Sequence, residues 1–219
     1  MGNVRLVVAT RNPAKVAAIT RLVDTLVDVV SFPGDISQEP TTEPTATTID
    51  QPTITHASIA QEKAVALSQA LPGELVVATD GGLIVPALGS RWDPVRTRRF
   101  AGPDATDWDR ANALLQLAAG LRGEGRSIWW EEALALARDG EVIATWTARS
   151  GPGLLAETVT PDEVARGGGF WIPAVWLIPE EGNRRLIELE PSDQDRYFDH
   201  WARLGEELRA FLRRYDADR

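Results

Sequence analysis

A mixed α/β fold is predicted, a mixed sheet with flanking helices in two lobes around a central cleft, with residues 1–219 forming one domain. Three observations predict it. Apolar runs of strand length, RLVVA from Arg5 and ELVVATDGGLIV from Glu74, alternate with segments of helical spacing, the order that builds strand–helix–strand layers. Asp139-Gly140 separates two strand-like segments, EEALALAR and EVIATWTAR, and reads as a hairpin turn. The stretch from Asp193 to Tyr215 has the apolar period of a closing amphipathic helix.

Taken in order, the strand at Arg5–Ala9 leads into a helix that Asn12 caps and Pro13 opens, with Val16, Ile19, Val23 and Leu26 at helical spacing. Val29 to Phe32 is expected to be a second strand, and the Thr- and Pro-rich stretch from Ile36 to Thr55 an exposed loop. Ala57 to Ala70 reads as a helix, and the strand after it runs into an acidic turn at Asp80. Thr106 caps a further helix whose first turn carries acids, as the helix dipole favours. The segment RGGGFWIPAVWLIP reads as glycines followed by a strand.

Composition excludes several functions. The chain has no cysteine, which rules out disulfides, thiolate metal sites and a cysteine nucleophile and makes the cytoplasm the expected compartment. No leader is expected from the strand-like start, and no apolar run approaches the roughly 20 residues that span a bilayer. His56 and His200 are the only histidines, too few for a multi-histidine zinc site. A net charge of −9 argues against a nucleic-acid polymer as partner, but a nucleotide needs only a few local cations.

Those cations are conspicuous. Of 23 basic residues only Lys15 and Lys63 are lysines. Lys15 lies in ATRNPAK, where a strand ends in small polar residues and opens a helix. Backbone N–H groups and the helix dipole there favour an anion, which Thr10, Asn12 and Lys15 can all reach. No phosphate-cradling G-x-x-x-x-G-K-[ST] and no dinucleotide G-x-G-x-x-G is present. Asp80, at the end of an apolar strand, is placed where α/β sheets bind ligands. Its carboxylate can hold Mg²⁺ or orient a water, and Gly81 and Gly82 let a ligand approach the backbone. Arg99 sits beside Phe100 in RRFAG, where a guanidinium can hold phosphate, and Phe170 and Trp171 offer flat rings for a base. Each of these signals also has an ordinary reading: a helix cap, a turn acid, a basic surface turn, core aromatics.

Their order resembles the inosine triphosphate pyrophosphatase family, which acts on non-standard purine nucleoside triphosphates. That family shows T-x-N-x-x-K after a strand, a lysine on the next helix, D-[ST]-G-L, S-x-R-[YF]-x-G, G-F-G-[YW]-D-P-[IL]-F and a late S-H-R. The matches here are Thr10, Asn12 and Lys15; Lys63; Asp80, Gly82 and Leu83; Arg99, Phe100 and Gly102; and Gly168, Gly169, Phe170 and Pro179. Both lysines thus fall on the family's phosphate-binding positions, where a compact ammonium is not interchangeable with a guanidinium. The chain also departs from the pattern. Gln51 stands where the family has a metal-binding glutamate, with Asp50 beside it and Glu62 a further substitute, and Gly81 replaces the Ser or Thr after the aspartate. Trp171-Ile172-Pro173-Ala174 lacks the base-reading Asp-Pro. Of the S-H-R only His200 remains, and an acid near Asp195 replaces the preceding lysine.

The resemblance implies a Mg²⁺-dependent hydrolase, a member diverged at its metal and base-reading positions, that cleaves nucleoside triphosphates to the monophosphate and pyrophosphate. It further implies Asp80 as catalytic residue, Asp80 and Asp50 as metal ligands, and Thr10, Asn12, Lys15, Lys63, Gly82, Arg99, Phe170, Trp171 and His200 as the substrate contacts of a homodimer. The alternative is a nucleotide-binding homologue that keeps the phosphate pocket without catalysis. Adjacent acids at Glu131-Glu132 and Glu180-Glu181 give no spacing for a paired-carboxylate glycosidase.

Overall fold

The computed structural model describes residues 4–10, 12–23, 26–31 and 54–217. In chain order its elements are β1 (Arg5–Val8), α1 (Pro13–Val23), β2 (Asp28–Val30), α2 (His56–Ala70), β3 (Leu75–Ile84), α3 (Asp107–Leu117), β4 (Ser127–Arg138) and β5 (Glu141–Arg149). They continue as β6 (Gly153–Leu155), α4 (Pro161–Ala165), α5 (Ile172–Val175), β7 (Trp176–Ile178), β8 (Arg184–Arg185), α6 (Pro191–Tyr197) and α7 (His200–Ala217), with short 3₁₀ turns between some of them. The fold is mixed α/β. Among the described residues the eight strands follow the order β2-β1-β3-β4-β6-β7-β8, with β5 on β4. The chain forms two compact units, Met1–Gly81 with Glu132–Ala148 and His200–Arg219, and Gly82–Glu131 with Arg149–Asp199.

In the first unit β1 pairs in parallel with β2 and with β3, Val7 lying opposite Val30 on one side and Val76 on the other. Strand alternation divides the buried side chains into two cores. Val7, Ala9, Val76, Ala78, Ala133, Ala135 and Ala137 pack with Ala60, Ala64 and Leu67 of α2. Leu6, Val8, Leu134 and Leu136 pack instead with Ile19 and Val23 of α1 and with Leu204, Leu208 and Leu212 of α7. The alternating alanines and leucines of β4 are therefore a small face under α2 and a large face under α1 and α7. A Cβ at Gly205 would stand 2.8 Å from Leu22 Cδ2, so glycine there permits the close crossing of α7 over α1.

The second unit is built on aromatic packing. Its core joins Leu83, Trp92, Leu114, Trp130, Leu155, Trp171, Ile172, Trp176 and Tyr197. Strands β4, β6, β7 and β8 are antiparallel here. A capping box between Thr106 and Asp109 opens α3, as the sequence leads one to expect. At the other end of α3 the buried Arg126 donates to the carbonyls of Ala118 and Leu121, and across to those of Leu155 and Ala156.

Four expectations change. The strand at Asp80 does not end in a turn: β3 runs on through Gly81 and Gly82 to Ile84. Pro173 opens the short helix α5, so β7 starts only at Trp176. The closing helix is two helices, because Phe198 leaves helical geometry and its ring joins Trp130, Phe170 and Trp176. The second strand is Asp28–Val30, starting one residue earlier than expected, while Phe32 and residues 36–53 of the expected loop lie outside the described residues. The hairpin stands as read, with Asp139 and Gly140 both at positive φ. No helix among the described residues is long and apolar enough to cross a membrane.

Candidate functional site

The first unit gathers an ionic centre. Beyond the point where β1 stops pairing with β3, Asp80 continues along β3, its side chain 17% exposed. Lys63 reaches it from the middle of α2, Nζ donating to Oδ1 at 3.0 Å. His56, the first residue of α2, meets Oδ2 through Nδ1 at 2.7 Å. The start of α2 is fixed by reciprocal bonds between Thr55 and Ser58, so the His56 ring is placed by a cap rather than by chance. Its Nε2 is buried and has no hydrogen-bond partner among the described residues.

The loop after β1 supplies the other half of the centre. Thr10 is buried, and its Oγ1 accepts from the Asn12 N–H at 3.2 Å. Asn12 Oδ1 accepts from the Ala14 N–H at 3.0 Å, which makes Asn12 the cap expected of it and leaves its amide N–H groups to donate outward. Lys15, one turn into α1, donates to Glu132 Oε1 at 3.1 Å. Glu132 heads the buried part of β4, and its side chain is only 2% exposed.

Burial alone would raise the pKa of Asp80. The His56 hydrogen bond and the charges of Lys63 and Lys15 outweigh it and hold the carboxyl below its ordinary value. Asp80 is thus an ionised acceptor at neutral pH, which requires His56 Nδ1 to carry the shared proton. An ionised carboxylate so placed can orient a water or hold a hard cation, but it is a weak proton acceptor. Mg²⁺ is commonly held by one or two carboxylates together with substrate phosphates, and Asp80 fits as one such ligand because each of its oxygens has a further lone pair. Among the described residues no group of three His, Asp or Glu side chains is placed to hold a metal on its own. Asp50 and Gln51 lie outside the described residues, and Glu62 is exposed on α2.

The remaining predicted residues divide between the units. His200 is buried at the start of α7 in the first unit, its ring 5.6 Å from that of Trp201. Gly82 is buried on β3 two positions after Asp80. Arg99 is exposed in the turn before α3, while the neighbouring Phe100 packs edge-on against Trp92 at 4.6 Å. Phe170 is 39% exposed, with its ring edge-on to Trp130, whereas Trp171 is buried in the aromatic core. The structure therefore brings Thr10, Asn12, Lys15, Lys63 and Asp80 into one unit, and sets Arg99, Phe170 and Trp171 in the other.

Sequence reasoning missed His56 and Glu132 as members of the centre. One signal for Glu132 was available. An acid at the head of a run as apolar as ALALA needs a counter-ion, and lysine is scarce enough here for Lys15 to be the natural one.

The sequence model of the Ham1 family matches residues 6–210. A dITP/XTP pyrophosphatase of Geobacillus kaustophilus is 32% identical over 190 residues, spanning 87% of this chain and 85% of that protein. One from Streptococcus pyogenes is 32% identical over 200 residues, covering 89% of this chain and 55% of that protein, so the chain spans about half the length of this relative. Among solved structures, a HAM1 protein from Coxiella burnetii has a TM-score of 0.74 at 23% identity, covering 96% of this chain and 99% of the other, a likeness that bears on the fold alone. A nucleoside-triphosphatase / dITP/XTP pyrophosphatase from Mycobacterium abscessus has a TM-score of 0.65 at 27% identity, covering 95% of this chain and 98% of the other.

Proposed function

The chain belongs to the Ham1 family, and on that premise we propose that it hydrolyses nucleoside triphosphates to the monophosphate and pyrophosphate. The substrates proposed are non-standard purine nucleotides such as ITP, dITP and XTP, and the setting a cytoplasmic homodimer. The observation that carries the reading is Asp80, kept ionised between Lys63 and His56, with Lys15 close enough to act on it. The names of the Geobacillus and Streptococcus relatives support the reaction class.

In this reading a water attacks the α-phosphorus, and the bond to the bridging oxygen breaks, so that pyrophosphate leaves with that oxygen. Asp80 accepts a hydrogen bond from the water and orients it. Its depressed pKa suits it to electrostatic positioning more than to full proton abstraction. Lys15 and Lys63 offset the charge of the phosphate chain, and Thr10 and Asn12 donate to its oxygens. Fixed cations and donors of this kind supply most of the catalysis in phosphoryl transfer. Asp80, with Asp50 as the proposed second carboxylate, would hold Mg²⁺, which when bound supplies further neutralisation of phosphate charge. On the second unit, Arg99 is the proposed anion contact, and Phe170 is the ring proposed to stack on a base, being the more exposed of the aromatic pair.

The test is pyrophosphate release from a panel of standard and deaminated nucleoside triphosphates, with and without Mg²⁺, for wild type and Asp80→Asn. Metal-dependent turnover that falls about 100-fold or more in the variant is expected. Nucleotide binding without turnover of any triphosphate would replace the enzyme with a nucleotide-binding module.

A further inference from the structure

We propose that Glu132 is a positioning residue that acts through Lys15 to limit how tightly the phosphate pocket holds an anion, and so helps pyrophosphate to leave. The inference rests on the phosphate role proposed for Lys15 and concerns a residue with no part in that reading. Its starting point is a pair of contacts. In the centre Lys15 meets Glu132 and Lys63 meets Asp80. Asp80 has evident work at the reacting atoms. Glu132 has none, yet its side chain is 2% exposed while that of its partner Lys15 is 25% exposed.

Breaking an ion pair to so buried a carboxylate is costly, which favours Lys15 keeping Glu132 when a phosphate arrives. An ammonium has three N–H donors, and with one on Glu132 Oε1 the other two can reach a phosphate oxygen. Glu132 therefore fixes the ammonium before a ligand arrives, which lowers the entropy lost on binding. The same carboxylate, 3.1 Å behind Nζ, repels whatever anion the ammonium meets. The repulsion is greatest for the most highly charged ligand, and free pyrophosphate carries more charge per phosphate than the esterified chain it came from. Glu132 thus supports approach of the substrate and opposes retention of the product.

Glu132→Gln separates the two effects, because the amide oxygen still accepts from Lys15 while the negative charge is gone. The probe is inorganic pyrophosphate, titrated calorimetrically into the full chain. The variant is expected to bind it about tenfold more tightly than wild type, as expected for removing one unit charge a few ångströms from the anion. Lys15→Met, which removes the ammonium that Glu132 holds, is expected to bind pyrophosphate more weakly than wild type, and equal or tighter binding overturns the proposal. Where triphosphates are turned over, the inhibition constant for pyrophosphate falls in the same ratio, and KM falls with it. A folded Glu132→Gln protein with unchanged or weaker pyrophosphate binding overturns the proposal.

Wild type alone provides a second measurement should the variant fail to fold. With two lysines in the chain, a lysine side-chain ¹⁵N label gives two ammonium signals, which Lys15→Met assigns. The Lys15 signal is expected to exchange slowly with water, both before and after pyrophosphate is added. Exchange as fast as that of a free lysine overturns the proposal. These outcomes are separable from the enzymatic reading. Tighter pyrophosphate binding in a protein that hydrolyses no triphosphate leaves the role of Glu132 standing and removes the enzyme. Turnover that is indifferent to Glu132→Gln does the reverse.

Discussion

Both units bury cations, but they answer them differently. In the first, Lys15 and Lys63 meet carboxylates, and each lysine side chain keeps some exposure. In the second, Arg126 is 6% exposed and donates to neutral carbonyls, those of Ala118, Leu121, Leu155 and Ala156. Burial, more than any neighbouring charge, lowers the pKa of its guanidinium, as expected of a cation held for structure. A part-exposed ion pair can take on a third, anionic partner. A guanidinium with four of its five N–H donors on carbonyls near a helix end and on a strand has little left to offer. The Lys15 and Lys63 pairs thus leave room for a ligand, whereas carbonyl pairing at Arg126 serves the architecture.

The comparison breaks most sharply at Arg126. Arg126→Met would take a donor from the Leu155 and Ala156 carbonyls, while those of Ala118 and Leu121 keep the Leu121 N–H and Arg122, and it is expected to cost about 3 kcal/mol of stability. Turnover per folded molecule should stay at the wild-type level, as urea unfolding and active-fraction kinetics would show. A folded variant with impaired kcat would mean that the cation works outside its unit. Lys63→Met should do the opposite. It is expected to lower kcat/KM about 100-fold, equivalent to about 2.7 kcal/mol in the barrier, with a smaller change in stability. Lys63→Arg should fail to restore activity, since a planar fork does not reproduce a compact ammonium bonded to Asp80 Oδ1. Full activity in the arginine variant would show that charge alone matters at this position.

What the sequence revealed follows from how local each signal was. Thr10, Asn12 and Lys15 share one strand-to-helix turn, so cap chemistry and spacing announce them together. Asp80 and Lys63 were legible through their motifs, but the bond between them was not, and neither was the His56 contact, 24 positions away in sequence. Lys15 and Glu132 are 117 positions apart, and no pattern within a window joins them. The fold class followed from alternation of elements, which is also local. The break at Phe198 was hidden because the residues around it keep a helical period. The interruption comes from the aromatic cluster that its ring joins, a tertiary demand that overrides local preference.

The smallest expected effect tests whether a depressed carboxylate behaves alike in both units. Glu163 accepts from the Thr160 N–H at 2.7 Å and from its hydroxyl at 3.0 Å, and it pairs with Arg185 at 2.8 Å. Burial pushes its pKa up, but the Thr160 hydrogen bonds and the Arg185 charge prevail, and the net direction is down, as for Asp80. A carboxyl whose folded pKa lies below its unfolded value contributes its full stability above the unfolded value, near about 4.3 for a glutamate. That contribution is lost as pH falls through the folded value. Glu163→Gln is therefore expected to cost about 1 kcal/mol at pH 7, the usual worth of a cap, and much less near pH 3. Urea unfolding of both proteins at the two pH values measures this. Asp80 makes the wild type acid-sensitive in the same direction, but it is present in both proteins and distant sites add, so its contribution cancels in the difference. An equal cost at both pH values would mean that α4 depends on the shape of the Thr160–Glu163 box rather than on its charge. The depressed carboxylate of the second unit would then differ in kind from Asp80, which is held down chiefly by its His56 bond and two lysines.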